Sequence, residues 1–280
     1  MLLGYLSALG QTSCMRPVHV DAAKATKATP RTDPGITDEL GRQVDEQYRA
    51  VTDFKATALM SVALGQSGKT PVKRYPDVRG FILFRKPSDI RMMGLDLLVG
   101  QRVFDMVSNG TDFRLSVPSR KQFVVGKEAA TSLSKDRFAN IRPRHLLEVI
   151  LPKPVDPAAE TASVQELANR DGYILHLSRS VQAGNGRPTR NLWIDAVTLH
   201  VAREQIFSDA GAILTDSQFS EWKQSDNVIF PMHIEIDRPQ EEYHMTIQIF
   251  AVEINRGLSD KTFVLEQPAG AQRVSLNDPD

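Results

Sequence analysis

One cysteine, Cys14, is all that the chain of 280 residues holds, so no disulfide framework can staple it. An excess of charge is missing as well. The 34 basic and 34 acidic side chains cancel to a formal net charge of zero, which argues against a nucleic-acid partner, because such a partner requires a basic face to displace counterions. No stretch comes near the roughly 20 consecutive apolar residues of a membrane-spanning helix. Catalytic groupings are scarce. The six histidines, His19, His145, His176, His200, His233 and His244, are scattered without metal-ligand spacing. His233 and Glu235 share a strand face, yet no third ligand accompanies them. Asp195, Glu235 and Glu253 are isolated acids. Converging in a barrel they could serve glycoside chemistry, but strands lined by single acids are far commoner than glycosidases. No cofactor, no metal and no enzymatic activity are expected.

A phosphate-loop reading also fails. Ala63-Leu64-Gly65-Gln66-Ser67-Gly68-Lys69-Thr70 fits a loose form of the pattern. A working phosphate loop needs a helix starting at Lys69-Thr70, so that its amides face the phosphates. Pro71 follows instead, and then a strand. The segment is expected to be a hairpin loop.

What is present is the composition of one soluble domain, 41% hydrophobic and 24% charged; single all-β domains of about 200–250 residues are common. Residues 1–14 read as a degenerate signal-like leader, a short apolar stretch ending at Cys14 as a lipidation site. No basic residue precedes the apolar stretch, as one does in secretory signals, and Gln11 stands where lipoprotein signals prefer Leu. The alternative is that Cys14 is incidental. Residues 15–34, rich in Ala, Lys, Thr and Pro, cannot bury a hydrophobic face and read as a disordered tether.

The folded domain is expected over residues 35–280. Leu40, Val44, Tyr48 and Val51 give one apolar stripe on a helix of about Asp38 to Val51, with Thr37 or Asp38 as N-cap. The period then switches to two. Phe54, Ala56, Ala58, Met60, Val62 and Leu64 form one uniformly apolar strand face, and Ile82 and Phe84 continue it on a later strand. Val78–Arg85, then Lys86-Pro87, then Asp89–Met92, and Phe104–Ser108 turning at Asn109-Gly110 into Asp112–Pro118 make a meander. Asn-Gly between two β-type runs predicts a type I′ hairpin.

Ile141–Leu151 reads as a short amphipathic helix with Pro143 in its first turn. Its Leu146, Leu147, Val149 and Ile150 are too apolar to leave in water. The helix is either a plug in the mouth of a curved sheet or a movable lid. Strands return at Tyr173–Leu177 and run to a last one at Thr262–Glu266. The count is about ten or eleven, the pattern of a large antiparallel sheet or open barrel.

The order of these motifs resembles the periplasmic lipoprotein carriers and receptors of the LolA/LolB type, including outer-membrane lipoprotein-sorting relatives. Gly80–Pro87 is similar to that family's Gly-strand-basic-Pro segment, and Val107–Gly110 through Pro118 to its Val-Ser-Asp-Gly hairpin. Leu192–Asp195, Arg203, Asp209, Gly211 and Phe230-Pro231 resemble its later hairpins, and Phe263–Ala271 its terminal strand and turn. The resemblance covers roughly Thr37 to Val274. It implies a mainly β (α+β) fold, an open antiparallel barrel wrapped around an N-terminal helix, with a helical lid insertion at about 128–170 over an apolar cavity for acyl chains. Phe54, Ala56, Ala58, Met60, Val62, Leu64, Ile82 and Phe84 would line the cavity. Met60, Met92, Met93, Met106, Met232 and Met245 suit an adaptable lining. Leu146, Leu147, Val149 and Ile150 would form the lid, and Lys86 would stand at the latch position, where carriers have Arg. Lys lacks the planar two-donor fork of Arg. The implied function is non-enzymatic binding of lipid or acylated protein by a monomer in the periplasm or on the outer membrane, lipid-anchored or peripheral. The alternative is an envelope protein-interaction or stress-sensing module on the same fold, without transport.

Overall fold

A computed structural model describes residues 34–65, 70–128, 142–168, 170–179 and 186–276. Cys14, the tether up to residue 33 and the tip of the expected hairpin loop at 66–69 lie outside these residues.

The chain opens with α1 (Pro34–Arg49) and continues through β1 (Asp53–Leu64), β2 (Lys73–Arg74), β3 (Val78–Arg85), β4 (Asp89–Asp96), β5 (Arg102–Ser108), β6 (Asp112–Val117) and β7 (Gln122–Lys127). Helix α2 (Pro143–Ile150) follows. The second half is β8 (Glu160–Glu166), β9 (Gly172–Arg179), β10 (Pro188–Asp195), β11 (Val201–Phe207), β12 (Ile213–Ser225), β13 (Val228–Arg238), β14 (Tyr243–Ile254) and β15 (Gln272–Ser275). The fifteen strands among the described residues belong to one sheet, ordered β15-β7-β6-β5-β4-β3-β1-β14-β13-β12-β11-β10-β9-β8, with β2 beside β1. The fold is mainly β, as expected, but fifteen strands replace the ten or eleven counted from sequence. The edges β2, β8 and β15 bury few side chains and leave a faint alternation.

Strand β1 holds the two halves together, pairing with β3 on one side and β14 on the other. Its burial alternates as the period of two requires, with Phe54, Ala56, Ala58 and Met60 inward. Asn255 fixes the start of β1: its side chain accepts from the Thr52 amide at 2.7 Å and donates to Ala50 O at 2.8 Å. Leu40 and Val44 of α1, Leu146 of α2, Leu115 of β6 and Leu177 of β9 share one core cluster. A flat sheet of this width could not bring those strands together, so the sheet curls around both helices.

Several local expectations change. Helix α1 begins at Pro34, so Thr37 and Asp38 lie within its first turns and do not cap it. The Asn109-Gly110 hairpin forms, but only Gly110 takes positive φ, at 85°. A type I′ turn needs both residues there. Asn109 instead accepts the Thr111 and Asp112 amides on its side-chain oxygen at 3.0 and 2.8 Å. Of the helical insertion expected at 128–170, the described residues show α2, and Glu160–Glu166 is sheet strand β8. Thr262–Glu266 is no strand: Asp260–Phe263 is a 3-10 turn, and the last strand is β15, parallel to β7. Arginines of the sheet take the carbonyls of this segment, Arg91 at Thr262 (2.8 Å) and Arg114 at Leu265 (3.0 Å). The strap therefore crosses the outer face instead of pairing along it.

Candidate functional site

The inward faces of β1, β3, β4, β5 and β6 leave a partly open cavity of about 220 Å³. Met60, Met92, Met106 and Met245 line it with Val62, Phe104, Leu115 and Leu146; Asp77 and Asp96 stand among the lining residues. Unbranched thioethers can rearrange around irregular guests. The volume exceeds the roughly 150 Å³ of an engineered apolar hole that binds benzene, and falls short of the roughly 300–1,000 Å³ of sites for larger ligands.

The residues expected to line the cavity divide. Met60 and Val62 reach it. Phe54, Ala56, Ala58, Leu64 and Ile82 face the same interior but are packed solid. Phe54 contacts the rings of Phe84 and Phe230 at centroid distances of 5.4 and 5.1 Å. Phe84 instead borders a second cavity of about 280 Å³, together with Tyr48, Pro87, Leu147, Glu148 and Lys153. Of the six methionines expected to suit the lining, Met60, Met92, Met106 and Met245 line the first cavity. Met93 sits on the other face of β4, and Met232 belongs to the packed core.

Helix α2 separates the two cavities, with Leu146 on the first and Leu147 on the second. Leu146, Val149 and Ile150 are buried. Lys86 does not hold this helix. Its ammonium donates to Tyr48 O at the end of α1 and lies 3.7 Å from the Tyr48 ring centre. A cation suits the carbonyls at a helix C-terminus, and partial burial lowers the Lys86 pKa while Asp45 opposes the shift. Arg142 at the N-terminus of α2 donates to Lys127 O of β7 at 3.1 Å, and further groups that meet α2 come from the second half of the sheet. His145 Nδ1 lies 3.1 Å from Tyr243 Oη, and Arg238 lies 3.6 Å from Glu148. Burial raises the Tyr243 pKa. Sequence reading missed these partners, which lie far apart along the chain.

A second missed feature is the β4–β5 turn. Leu97, Leu98 and Val99 are 54%, 94% and 69% exposed. The Asp96 side chain accepts the Leu98 and Val99 amides, each at 2.9 Å. Those bonds also hold the Asp96 pKa below the usual carboxylate range. The turn thus presents its apolar side chains to solvent directly after Asp96, a residue that lines the cavity. Three consecutive apolar residues between strands were the available signal.

The considered catalytic acids do not converge. Asp195 accepts the Val197 and Thr198 amides of its own turn, Glu235 meets His233 at 3.1 Å on the sheet's other face, and Glu253 is an exposed partner of Lys55 at 3.8 Å. Among the described residues no three His, Cys, Asp or Glu side chains are placed to hold a metal ion.

A family model described as "Uncharacterized protein" matches residues 153–267. No curated protein matches the chain. Solved structures do. A DUF1329 family protein from Desulfovibrio piger superposes with a TM-score of 0.52 and 16% identity, over 81% of this chain and 95% of that one. A LolA superfamily protein from Nitrosomonas europaea gives a TM-score of 0.52 and 13% identity, over 82% and 97%. An outer membrane lipoprotein-sorting protein domain from Vibrio parahaemolyticus gives 0.46 and 12%, over 82% and 96%. At these identities the likeness is one of fold, and the chain shares the fold of the LolA superfamily.

Proposed function

We propose that this protein binds the acyl chains of lipids or of acylated proteins in the bacterial cell envelope, carrying or receiving them without altering them chemically. The observation that carries this reading is the methionine-lined cavity, one of whose lining residues, Asp96, anchors the exposed turn Leu97-Leu98-Val99. Burying an acyl chain gains about 0.8 kcal/mol per methylene, and a flexible lining allows both uptake and release. The exposed turn supplies the apolar contact that brings the mouth to a membrane surface, since clustered exposed apolar residues mark interaction sites. Lipid anchoring through Cys14 belongs to the same reading and would keep the domain at that surface.

The test is a titration with a dansyl-labelled undecanoic acid, read by fluorescence. The wild-type protein should bind in the micromolar range. Val62→Trp, which fills the mouth from a half-buried position, should weaken binding at least about tenfold, a loss of about 1.4 kcal/mol, with the far-ultraviolet circular dichroism unchanged. Equal binding by a folded Val62→Trp protein, or none by the wild type, overturns the proposal.

A further inference from the structure

The resemblance placed the latch of the lid at Lys86, and that side chain is committed to α1. Two buried arginines reach α2 and a second strap that follows it, residues 151–159, from the opposite half of the sheet. Arg238, 4% exposed, meets Glu148 of α2 at 3.6 Å, Glu241 at 2.7 Å and the Thr215 hydroxyl. Arg190, 8% exposed, donates to Lys153 O at 2.8 Å and Pro154 O at 3.1 Å, both in the strap. It also pairs with Glu160 at 2.8 Å and Glu204 at 3.4 Å.

We propose that Arg190 and Arg238 are the latch of α2, holding the helix and residues 151–159 closed across the interior. A guanidinium can grip several acceptors at once through its planar fork. Buried this deeply, it loses acceptors at a cost even where others remain, as Glu241 does for Arg238 and Glu204 for Arg190. Lifting α2 would strip Arg238 of Glu148, and lifting the strap would strip Arg190 of both carbonyls, so the two arginines resist one and the same motion. They are positioning residues. What the opened interior admits rests on the acyl-binding reading above; the latch itself does not.

Glu204 makes the hold depend on protons. Its side chain is buried, one of its oxygens has no hydrogen-bond partner, and neither has the hydroxyl of Ser217 beside it on β12. Facing it are Arg190 of β10, Lys153 of the strap and Glu148 of α2, and Glu160 of β8 shares the same Arg190. Burial pushes the Glu204 pKa up to about 7, with Arg190 pulling the other way. An acid whose pKa is raised in the folded state stabilises that state below its unfolded pKa and loses this contribution as pH rises through the folded one. The closed form therefore slackens as pH rises through about 7, where Glu204 must carry charge out of reach of water.

Hydrogen–deuterium exchange of residues 143–160, corrected for intrinsic rates, tests this. Arg190→Lys should speed that exchange roughly tenfold or more, the loss of about one hydrogen bond to a charged donor, and leave β1 and β14 amides unchanged. In the wild type the same segment should exchange faster on going from about pH 6 to pH 8, and Glu204→Gln should flatten that dependence. Unchanged exchange in a folded Arg190→Lys protein overturns the latch. If Arg190→Lys does not fold, the pH series decides, and a dependence that survives in Glu204→Gln overturns it. Altered exchange in a protein that takes up no dansyl-labelled fatty acid would instead refute the acyl-binding reading and leave the latch standing.

Discussion

Asp105 is wholly buried although it projects from the outer side of the sheet, because two guanidinium groups and the C-terminal strap close over it. Arg91 meets it through two bonds at 3.0 and 2.8 Å, and Arg102 through one at 2.9 Å. Arg102 is half exposed, and exposed pairs contribute little; Arg91 is the partner that counts. Asp105→Asn removes the charge and keeps the shape, and should cost about 2–3 kcal/mol in urea denaturation, while Arg102→Ala should cost about 0.5 kcal/mol or less. Arg91 also donates to Thr262 O, so the larger loss should come with faster proteolysis of the strap. Such pairings are invisible in sequence, where Asp105 is one acid among thirty-four. Lys86 shows the same limit. The basic-Pro pattern marked it as a special position, but its partner depends on α1 ending at Arg49, which places the Tyr48 carbonyl and ring within reach.

Elements with strong local punctuation were legible, and those shaped by distant partners were not. Pro143 and Pro152 bracket α2, and its bounds came within two residues of the expectation. Strand β8 was lost because only Val164 of its seven residues is fully buried. The terminal segment was misread because Phe263 and Leu265 alternate like a strand while arginines hold its carbonyls. For α2 the plug and lid readings can now be separated. Leu146 is fully buried and also borders the cavity, so shortening it removes core contacts and adds space in one step. Leu146→Ala should destabilise the protein by about 2–4 kcal/mol and tighten binding of the dansyl-labelled fatty acid. Thermal unfolding combined with titration checks both. Lower stability with weaker binding would make α2 a plug whose only work is to complete the core.

At the scale of the whole molecule, most strands were readable from turns and alternation, whereas their order in the sheet and the space they enclose were not. Every inward residue of β1 looked equally fit to line a cavity, yet Phe54, Ala56, Ala58 and Leu64 are packed solid, and the free space lies at Met60 and Val62. Where space remains depends on which side chains meet across the curled sheet, and that is a property of closure. The volume nevertheless fixes a testable length. Taking a methylene as about the size of a water molecule, near 30 Å³, a cavity of about 220 Å³ holds about seven. Each buried methylene is worth about 0.8 kcal/mol, or roughly fourfold in affinity. Across a series of straight-chain fatty acids that displace the dansyl probe, affinity should therefore climb about fourfold per carbon up to about eight carbons. Beyond that the slope should flatten, because further methylenes leave the enclosed space and meet only the exposed turn Leu97-Leu98-Val99, which covers one side of a chain. Replacing Leu98 and Val99 by Asp should abolish the residual gain for longer chains and leave the steep part of the series intact. A series with no break, steep through the longest acids, would show that the enclosed volume does not set the limit and that α2 yields to make room.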